Sequence, residues 1–185
     1  LGGPLVSKRL LAHLARVRPE YITVAGHGGN QDPACLVRHR LDVDVASFCH
    51  WLAPPAKFFP KALWAEPLCT LSANVADGIA EWHAGQDSLT ESGVALELSR
   101  ACPADSLLFL GNSMPVRDMD MYGAARDGAA RDGAGPRVLA NRGASGIDGC
   151  VASALGAARG AGLPTTALLG DLAALHDLNS LLLAR

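Results

Sequence analysis

The sequence has few charges and no strong charge of one sign. Only 18% of its 185 residues are charged, and 16 Lys and Arg against 18 Asp and Glu give a formal net charge of −2. This balance excludes a general nucleic-acid or membrane surface, so an anionic ligand must be met by local cations. No apolar run approaches the roughly 18 residues that a membrane span needs. What is present is an apolar fraction of 49%, which is enough for a sizeable globular core.

Common binding motifs are also missing. The five cysteines are Cys35, Cys49, Cys69, Cys102 and Cys150. Their number is odd and none forms a C-x-x-C pair, which argues against a disulfide framework or a zinc site and predicts small buried side chains in a reducing compartment. The six histidines have no ligand spacing. No G-x-G-x-x-G follows a strand and no P-loop is present, so dinucleotide and P-loop functions lose their main support.

The order of predicted elements alternates between helices and strands. Helical spacing of apolar residues predicts helices over 5–17, 43–52, 71–83, 90–102, 115–122, 147–159 and 177–183. Short apolar runs predict strands over 21–25, 106–110, 136–140 and 165–169. Prolines at 54, 55, 60 and 67 predict an irregular linker between two segments. The predicted fold class is α/β, with an open parallel sheet flanked by helices.

Polar or glycine-rich turns follow three of the predicted strands. They are Gly111-Asn112-Ser113, Asn141-Arg142-Gly143 and Gly170-Asp171. Because ligands bind outside the carboxyl ends of strands in open parallel sheets, these turns predict one convergent site.

Each of these residues also has an ordinary structural interpretation. Asp171 can hold a divalent cation, and the turn amides can face phosphate, yet an Asp after a strand is more often a helix cap. Arg117 and Arg142 suit carboxylate ligands, although a single Arg is more often a solvated surface charge. Gly149, Ala152, Ser153, Gly156 and Gly160 form a small-residue helix face that fits either a cofactor or tight helix packing. The tandem repeat Ala-Ala-Arg-Asp-Gly over 124–133 predicts an inserted surface loop.

Three motifs together resemble one enzyme family. Gly111-Asn-Ser-Met-Pro-Val-Arg117, Asn141-Arg-Gly-Ala-Ser-Gly-Ile-Asp-Gly149 and Gly170-Asp-Leu-Ala-Ala-Leu-His-Asp-Leu-Asn179 look like the 2-succinyl-5-enolpyruvyl-6-hydroxy-3-cyclohexene-1-carboxylate synthases (MenD). These thiamine-diphosphate enzymes act in menaquinone and phylloquinone biosynthesis. The resemblance implies that residues 1–84 are the end of a middle domain with its linker. Residues 85–185 would be the first part of the diphosphate-binding domain.

The resemblance also implies a reaction and its site. The family decarboxylates 2-oxoglutarate and adds the succinyl carbanion to isochorismate, using thiamine diphosphate and Mg²⁺ or Mn²⁺. The implied substrate-facing residues are Lys8, Asn112, Ser113, Arg117 and Arg142. The implied cofactor-binding residues are Ile147, Gly170, Asp171, Leu172 and Ala173. Ile147 would be the apolar wedge that bends the cofactor, and Asp171 would bind the metal.

The chain departs from a complete site of this kind. The second metal ligand is expected past Arg185 and the activating glutamate upstream of Leu1, so the 185 residues alone are expected to be inactive. Two alternatives remain, namely another thiamine-diphosphate decarboxylase or carboligase, and a non-catalytic relic inside a fusion protein. The expected partners are small dicarboxylates, with neither nucleic acid nor membrane, and the full-length enzyme is expected to be a homo-oligomer. The expected compartment is the cytoplasm in a bacterium or the chloroplast in a photosynthetic eukaryote.

Overall fold

A computed structural model describes residues 7–26, 32, 34–52, 65–124, 135–143 and 145–184. The chain divides into two compact units, residues 1–69 and 70–185. The Ala-Ala-Arg-Asp-Gly repeat lies outside the described residues except for Ala124. The predicted domain boundary after residue 84 remains a prediction.

The first unit holds a small parallel sheet. Helix α1 (Lys8–Val17) begins after Ser7, whose Oγ accepts a hydrogen bond from the Leu10 amide at 3.3 Å. Strand β1 (Tyr21–Val24) pairs in parallel with β2 (Val37–Leu41), and α2 (Val45–Leu52) follows. The sequence pattern missed β2, because its three central residues are cationic or His. The prediction that β1 is a buried strand is wrong for most of its length, since Ile22 is 49% exposed.

The second unit contains most of the secondary structure. Its elements are α3 (Ala65–Ala84, starting in the first unit), α4 (Glu91–Ala101), β3 (Leu107–Leu110), α5 (Met114–Tyr122), β4 (Arg137–Ala140), α6 (Cys150–Ala161), β5 (Thr165–Leu168), α7 (Asp171–His176) and a 3-10 helix (Leu178–Ala184). Pro67 lies within the first turn of α3, not in the linker, because the first turn of a helix tolerates proline. The three strands are parallel, in the order β4-β3-β5. The predicted open parallel α/β sheet is therefore confirmed.

The core of this unit is built around β3, all four residues of which are buried. Since side chains alternate between the faces of a strand, Leu107 and Phe109 face one way and Leu108 and Leu110 the other. The first pair packs with Cys150, Ala154 and Ala173, and the second with Cys102 and Val116. Burying one such Leu or Phe contributes about 1.5–3 kcal/mol. Residues on both faces therefore fix the end of β3, where the predicted site begins.

Several helix boundaries differ from the sequence prediction, and α3 already begins at Ala65 rather than at residue 71. Helix α6 begins at Cys150 rather than Ile147, because Gly149 has a left-handed backbone with φ 69°. The last predicted helix is a 3-10 helix, preceded by the separate α7. The prediction of buried cysteines holds for Cys102 and Cys150 only, since the other three are exposed. No helix in the described ranges is both long and apolar enough to cross a bilayer.

Candidate functional site

The three polar turns lie at one edge of the three-stranded sheet, which we call the carboxyl edge. The last residue of β3, Leu110, is in register with Ala140 of β4 and Leu168 of β5. Beyond the strands, the Gly111 amide still donates to the Leu168 carbonyl at 2.8 Å. Neighbouring strands lie about 4.8 Å apart, so all three turns start within about 10 Å of one another. The predicted convergence of the turns is thus present in the fold.

The turn after β3 is tightly constrained. A Cβ on Gly111 would lie 3.2 Å from the Leu168 carbonyl oxygen, so a larger residue would crowd the neighbouring strand. Ser113 has φ 73° and ψ −122°, a backbone region that glycine adopts more readily. Its side chain is exposed and makes no capping bond to α5. The Ser113 hydroxyl is therefore free to meet a ligand at the carboxyl edge.

Asn112 joins this turn to the loop after β4. Its Nδ2 donates to the Gly146 carbonyl at 2.9 Å, across 34 positions of sequence. The residue is only 8% exposed, and its Oδ1 is buried without a hydrogen-bond partner among the described residues. The Asn112 amide thus faces the protein, and the motifs after β3 and β4 are in direct contact.

Residues 145–149, which we call the Gly146 loop, carry Ile147 at the carboxyl edge. Ile147 is 46% exposed, unlike an ordinary core isoleucine. The Asp148 carboxylate lies against Gly146, where it leaves no room for a Cβ. A tight turn therefore presents an apolar side chain to the outside of the sheet, as an apolar cofactor wedge would require.

The predicted cations are exposed. Arg117 lies on α5, Arg142 follows β4, and Lys8 is the first residue of α1 in the other compact unit. Next to Arg117, Asp118 is only 5% exposed. Burial raises the pKa of its carboxyl group, and the nearby Glu91 carboxylate raises it further, while Arg117 acts in the opposite direction.

Asp171 is the first residue of α7, directly past β5. Gly170 occupies the cap position and provides no side-chain cap, so Asp171 is a first-turn residue and not the helix cap. Its side chain is exposed, Leu172 is 68% exposed, and Ala173 is buried in the core. A single exposed carboxylate suits one ligand of a divalent cation. Within the described ranges no three His, Cys, Asp or Glu side chains group as a metal site, so Asp171 fits the predicted metal only as a partial ligand set.

Sequence reasoning missed the residues that hold these turns in place. Asp177 Oδ2 accepts from the Ala152 amide at 2.9 Å and so caps the start of α6 from a distant part of the chain. Hydrogen bonds from the Ser180 hydroxyl and then from the Ala152 amide lower the pKa of the Asp177 carboxyl group. Asn141 Nδ2 donates to Ser153 Oγ at 2.9 Å. In the sequence, the one indication of this cap was Gly149 before α6, because a glycine has no side chain and another residue must then cap the helix.

Comparison with known proteins identifies the class. The family model for the "Middle domain of thiamine pyrophosphate" matches residues 1–110, more than half of the chain. The chain therefore belongs to the thiamine-pyrophosphate (thiamine-diphosphate) enzyme family.

The relatives narrow this class. The chain is 43% identical over 186 residues to the 2-succinyl-5-enolpyruvyl-6-hydroxy-3-cyclohexene-1-carboxylate synthase of Rubrobacter xylanophilus, and 42% identical over 186 residues to that of Edwardsiella ictaluri. Each match covers 100% of this chain and 31% of the relative. It is also 34% identical over 192 residues to the chloroplastic protein PHYLLO of Arabidopsis thaliana, covering 98% of this chain and 11% of that protein. The resemblance to the MenD synthases is confirmed, and the chain spans about a third of their length.

Proposed function

We propose that this chain is the central part of a thiamine-diphosphate-dependent synthase that decarboxylates 2-oxoglutarate and adds the succinyl unit to isochorismate, in menaquinone or phylloquinone biosynthesis. The observation that carries the proposal is the convergence of the three family motifs at the carboxyl edge. Similarity over the whole chain to synthases named for this product supports it.

Substrate recognition in this proposal depends on exposed cations. Both substrates are dicarboxylates, and guanidinium groups bind carboxylates through paired, charge-assisted hydrogen bonds. Arg117 and Arg142 would bind these groups, and the exposed Ser113 would line the substrate side of the turn after β3. Asn112, which the family resemblance also implies, is buried there, and only its unpartnered Oδ1 would be left for a substrate. Lys8 is proposed as a substrate-binding residue on the family resemblance alone.

The cofactor in this proposal occupies the β5 side of the carboxyl edge. Asp171 would bind Mg²⁺ or Mn²⁺, and Gly170, Leu172 and Ala173 would form the wall beside the diphosphate. Ile147 would press against the cofactor rings, which its exposed apolar side chain suits. When bound, thiamine diphosphate supplies the electron sink for decarboxylation, while these residues supply binding and orientation.

The test is a chimera. These 185 residues would replace the matching segment of the Rubrobacter xylanophilus synthase, which supplies the remaining segments. Decarboxylation of 2-oxoglutarate and formation of the isochorismate adduct would be measured. The expected result is adduct formation that is lost with Asp171→Asn and retained with Asp105→Asn, an exposed acidic residue before β3.

If the chimera forms no isochorismate adduct, a second assay with a simple aldehyde as the acceptor of the succinyl unit distinguishes the alternatives. Decarboxylation without addition to isochorismate, but with addition to a simple aldehyde, would favour a different carboligase. A folded chimera with no decarboxylation would favour the non-catalytic alternative.

The relatives include bacterial proteins and a chloroplastic one, so the proposed compartment is cytoplasm or chloroplast according to the source. A homo-oligomer of the complete enzyme is part of the same proposal.

A further inference from the structure

The buried amide of Asn112 has features that substrate contact alone does not explain. It lies at the end of the central strand, is 8% exposed, and directs its donor group into the protein. Its other polar atom, Oδ1, is buried and unpartnered among the described residues. A buried acceptor without a partner is unfavourable, so this amide contributes less to stability than a fully bonded one would. The hydrogen bond from Asn112 to Gly146 is therefore better explained by the segment that it holds in place than by its contribution to stability.

That bond reaches the Gly146 loop one residue before Ile147. The Gly146 carbonyl belongs to the peptide unit that leads into Ile147, so holding this oxygen holds the start of the Ile147 backbone. At the other end of the loop, Gly149 adopts a left-handed conformation just before α6. The loop is thus anchored to the central strand at one end and to a helix at the other.

We propose that Asn112 is a positioning residue, which fixes Ile147 at the carboxyl edge through its hydrogen bond to the Gly146 carbonyl. This role rests on the proposed function, in which Ile147 meets the cofactor, and goes beyond the substrate contact proposed for Asn112. Without the Asn112 donor, the Gly146 carbonyl keeps only the weaker bond from the Cys150 thiol at 3.8 Å, so the Gly146 loop should loosen. The three strands should stay in place, because β3 is held by buried apolar residues on both faces.

The experiment measures hydrogen–deuterium exchange in the chimera, peptide by peptide. Asn112→Leu keeps the approximate size of the side chain and removes the donor. The expected result is at least tenfold faster exchange at residues 146–149, with unchanged exchange in β3 and β5. The matched control is Asn141→Leu, which removes an asparagine donor at the same edge that bonds to Ser153 instead. It should leave exchange at residues 146–149 within about twofold of the unsubstituted chimera.

A second variant provides a pH-dependent rescue. Asn112→Asp has nearly the same shape, but its ionised carboxylate cannot donate to the Gly146 carbonyl, whereas the protonated acid can. The quantity to follow is the ratio of its exchange rate at residues 146–149 to that of the unsubstituted chimera at the same pH. This ratio should be high at neutral pH and should fall toward one in acid. Ionisation of a buried carboxylate that only filled space would speed exchange in β3 and β5 as well, so the diagnostic result is a pH response confined to residues 146–149. This variant also carries the test if Asn112→Leu does not fold.

Kinetics separate this role from the proposed function. In an active chimera, Asn112→Leu should lower kcat more than it raises KM. Unchanged exchange at residues 146–149, equal acceleration in all three strands, or a flat pH profile in Asn112→Asp would overturn the positioning role. An inactive unsubstituted chimera whose Gly146 loop still responds as expected would overturn the proposed function and support the positioning role.

Discussion

At the scale of single residues, exposure separates the side chains that can meet a ligand from those that build the site. Arg117, Arg142, Ile147 and Asp171 are all exposed at the carboxyl edge. Burial alone would have drawn attention to Asp118 instead. On α5, the exposed Arg117 and the buried Asp118 are adjacent in sequence.

Removal of either edge arginine should weaken catalysis. A hydrogen bond to a charged group contributes about 1.5–3 kcal/mol, so Arg117→Ala or Arg142→Ala should lower kcat/KM of the active chimera roughly ten- to hundredfold. Steady-state kinetics with 2-oxoglutarate and isochorismate would measure this. Arg159→Ala, which removes an exposed cation in the last turn of α6, should have no such effect. Unchanged kcat/KM for both substrates in both edge variants would contradict the assignment.

Asp118 should make stability depend on pH in an unusual direction. Because burial raises the pKa of its carboxyl group, the ionised form destabilises the folded protein above that pKa, and the cost disappears as the pH falls through it. Asp118→Asn should therefore raise the melting temperature by a few degrees at neutral pH, with the gain shrinking toward zero below pH 3.8, the ordinary pKa of an aspartic acid side chain.

The matched control for this prediction is Asp120→Asn, on the exposed side of the same helix. It changes the net charge by the same amount and should leave the melting temperature nearly unchanged. A lower melting temperature for Asp118→Asn at neutral pH would mean that the ionised carboxylate makes a favourable contact, and the prediction would fail.

At the scale of elements, the site is formed where three helices begin. Helices α5, α6 and α7 begin at or just beyond the carboxyl edge, and each begins without a cap from its own N-cap side chain. For α6 the missing cap is supplied by Asp177, which lies just after α7. This single carboxylate therefore joins the helix behind the Gly146 loop to the helix that carries Asp171.

Loss of this carboxylate should loosen the start of α6. The pKa of Asp177 is lowered in the folded protein, so its stabilisation is present above pH 3.8 and is lost as the pH falls through the lowered pKa. Asp177→Ala should reduce the melting temperature by a few degrees at neutral pH, and the difference should narrow at strongly acid pH. Thermal unfolding without metal or cofactor, with Asp171→Ala as an exposed control on the preceding helix, would measure this. A difference that does not depend on pH would exclude a role for the charge.

The sequence predicted those elements whose patterns are strong and local. The apolar run at Leu107–Leu110 lies where it was predicted, and α4 begins within one residue of its predicted start, because burial and helical spacing are read from adjacent residues. Strand β2 was missed since tertiary pairing with β1 overrides its polar pattern. The turns of the site were predicted from strand ends, but the bonds from Asn112 to Gly146 and from Asp177 to Ala152 could not be, because they join residues 25 to 34 positions apart.

At the scale of the whole molecule, the chain matches about a third of the length of its relatives. The activity named for those relatives belongs to proteins about three times as long. Asp171 provides one carboxylate, whereas a Mg²⁺ site takes about six oxygen ligands from protein, water and phosphate.

We therefore expect the 185-residue chain alone to be inactive. Calorimetry with Mg²⁺ and thiamine diphosphate should show binding weaker than micromolar, and no 2-oxoglutarate should be decarboxylated, while the chimera is active. Circular dichroism would first establish that the isolated chain is folded. Micromolar cofactor affinity or turnover by the folded chain would mean that the site has been misplaced.

The backbone of Ser113 has a consequence for how such a protein can be improved. A non-glycine residue in a sparsely populated region costs on the order of 1–3 kcal/mol, and glycine at this position would relieve it. A laboratory selection for heat resistance alone would thus favour Ser113→Gly and discard the hydroxyl at the carboxyl edge. Under the substrate role proposed for Ser113, thermostability and substrate recognition make opposite demands on this one position, and a library screened for both at once should retain serine there.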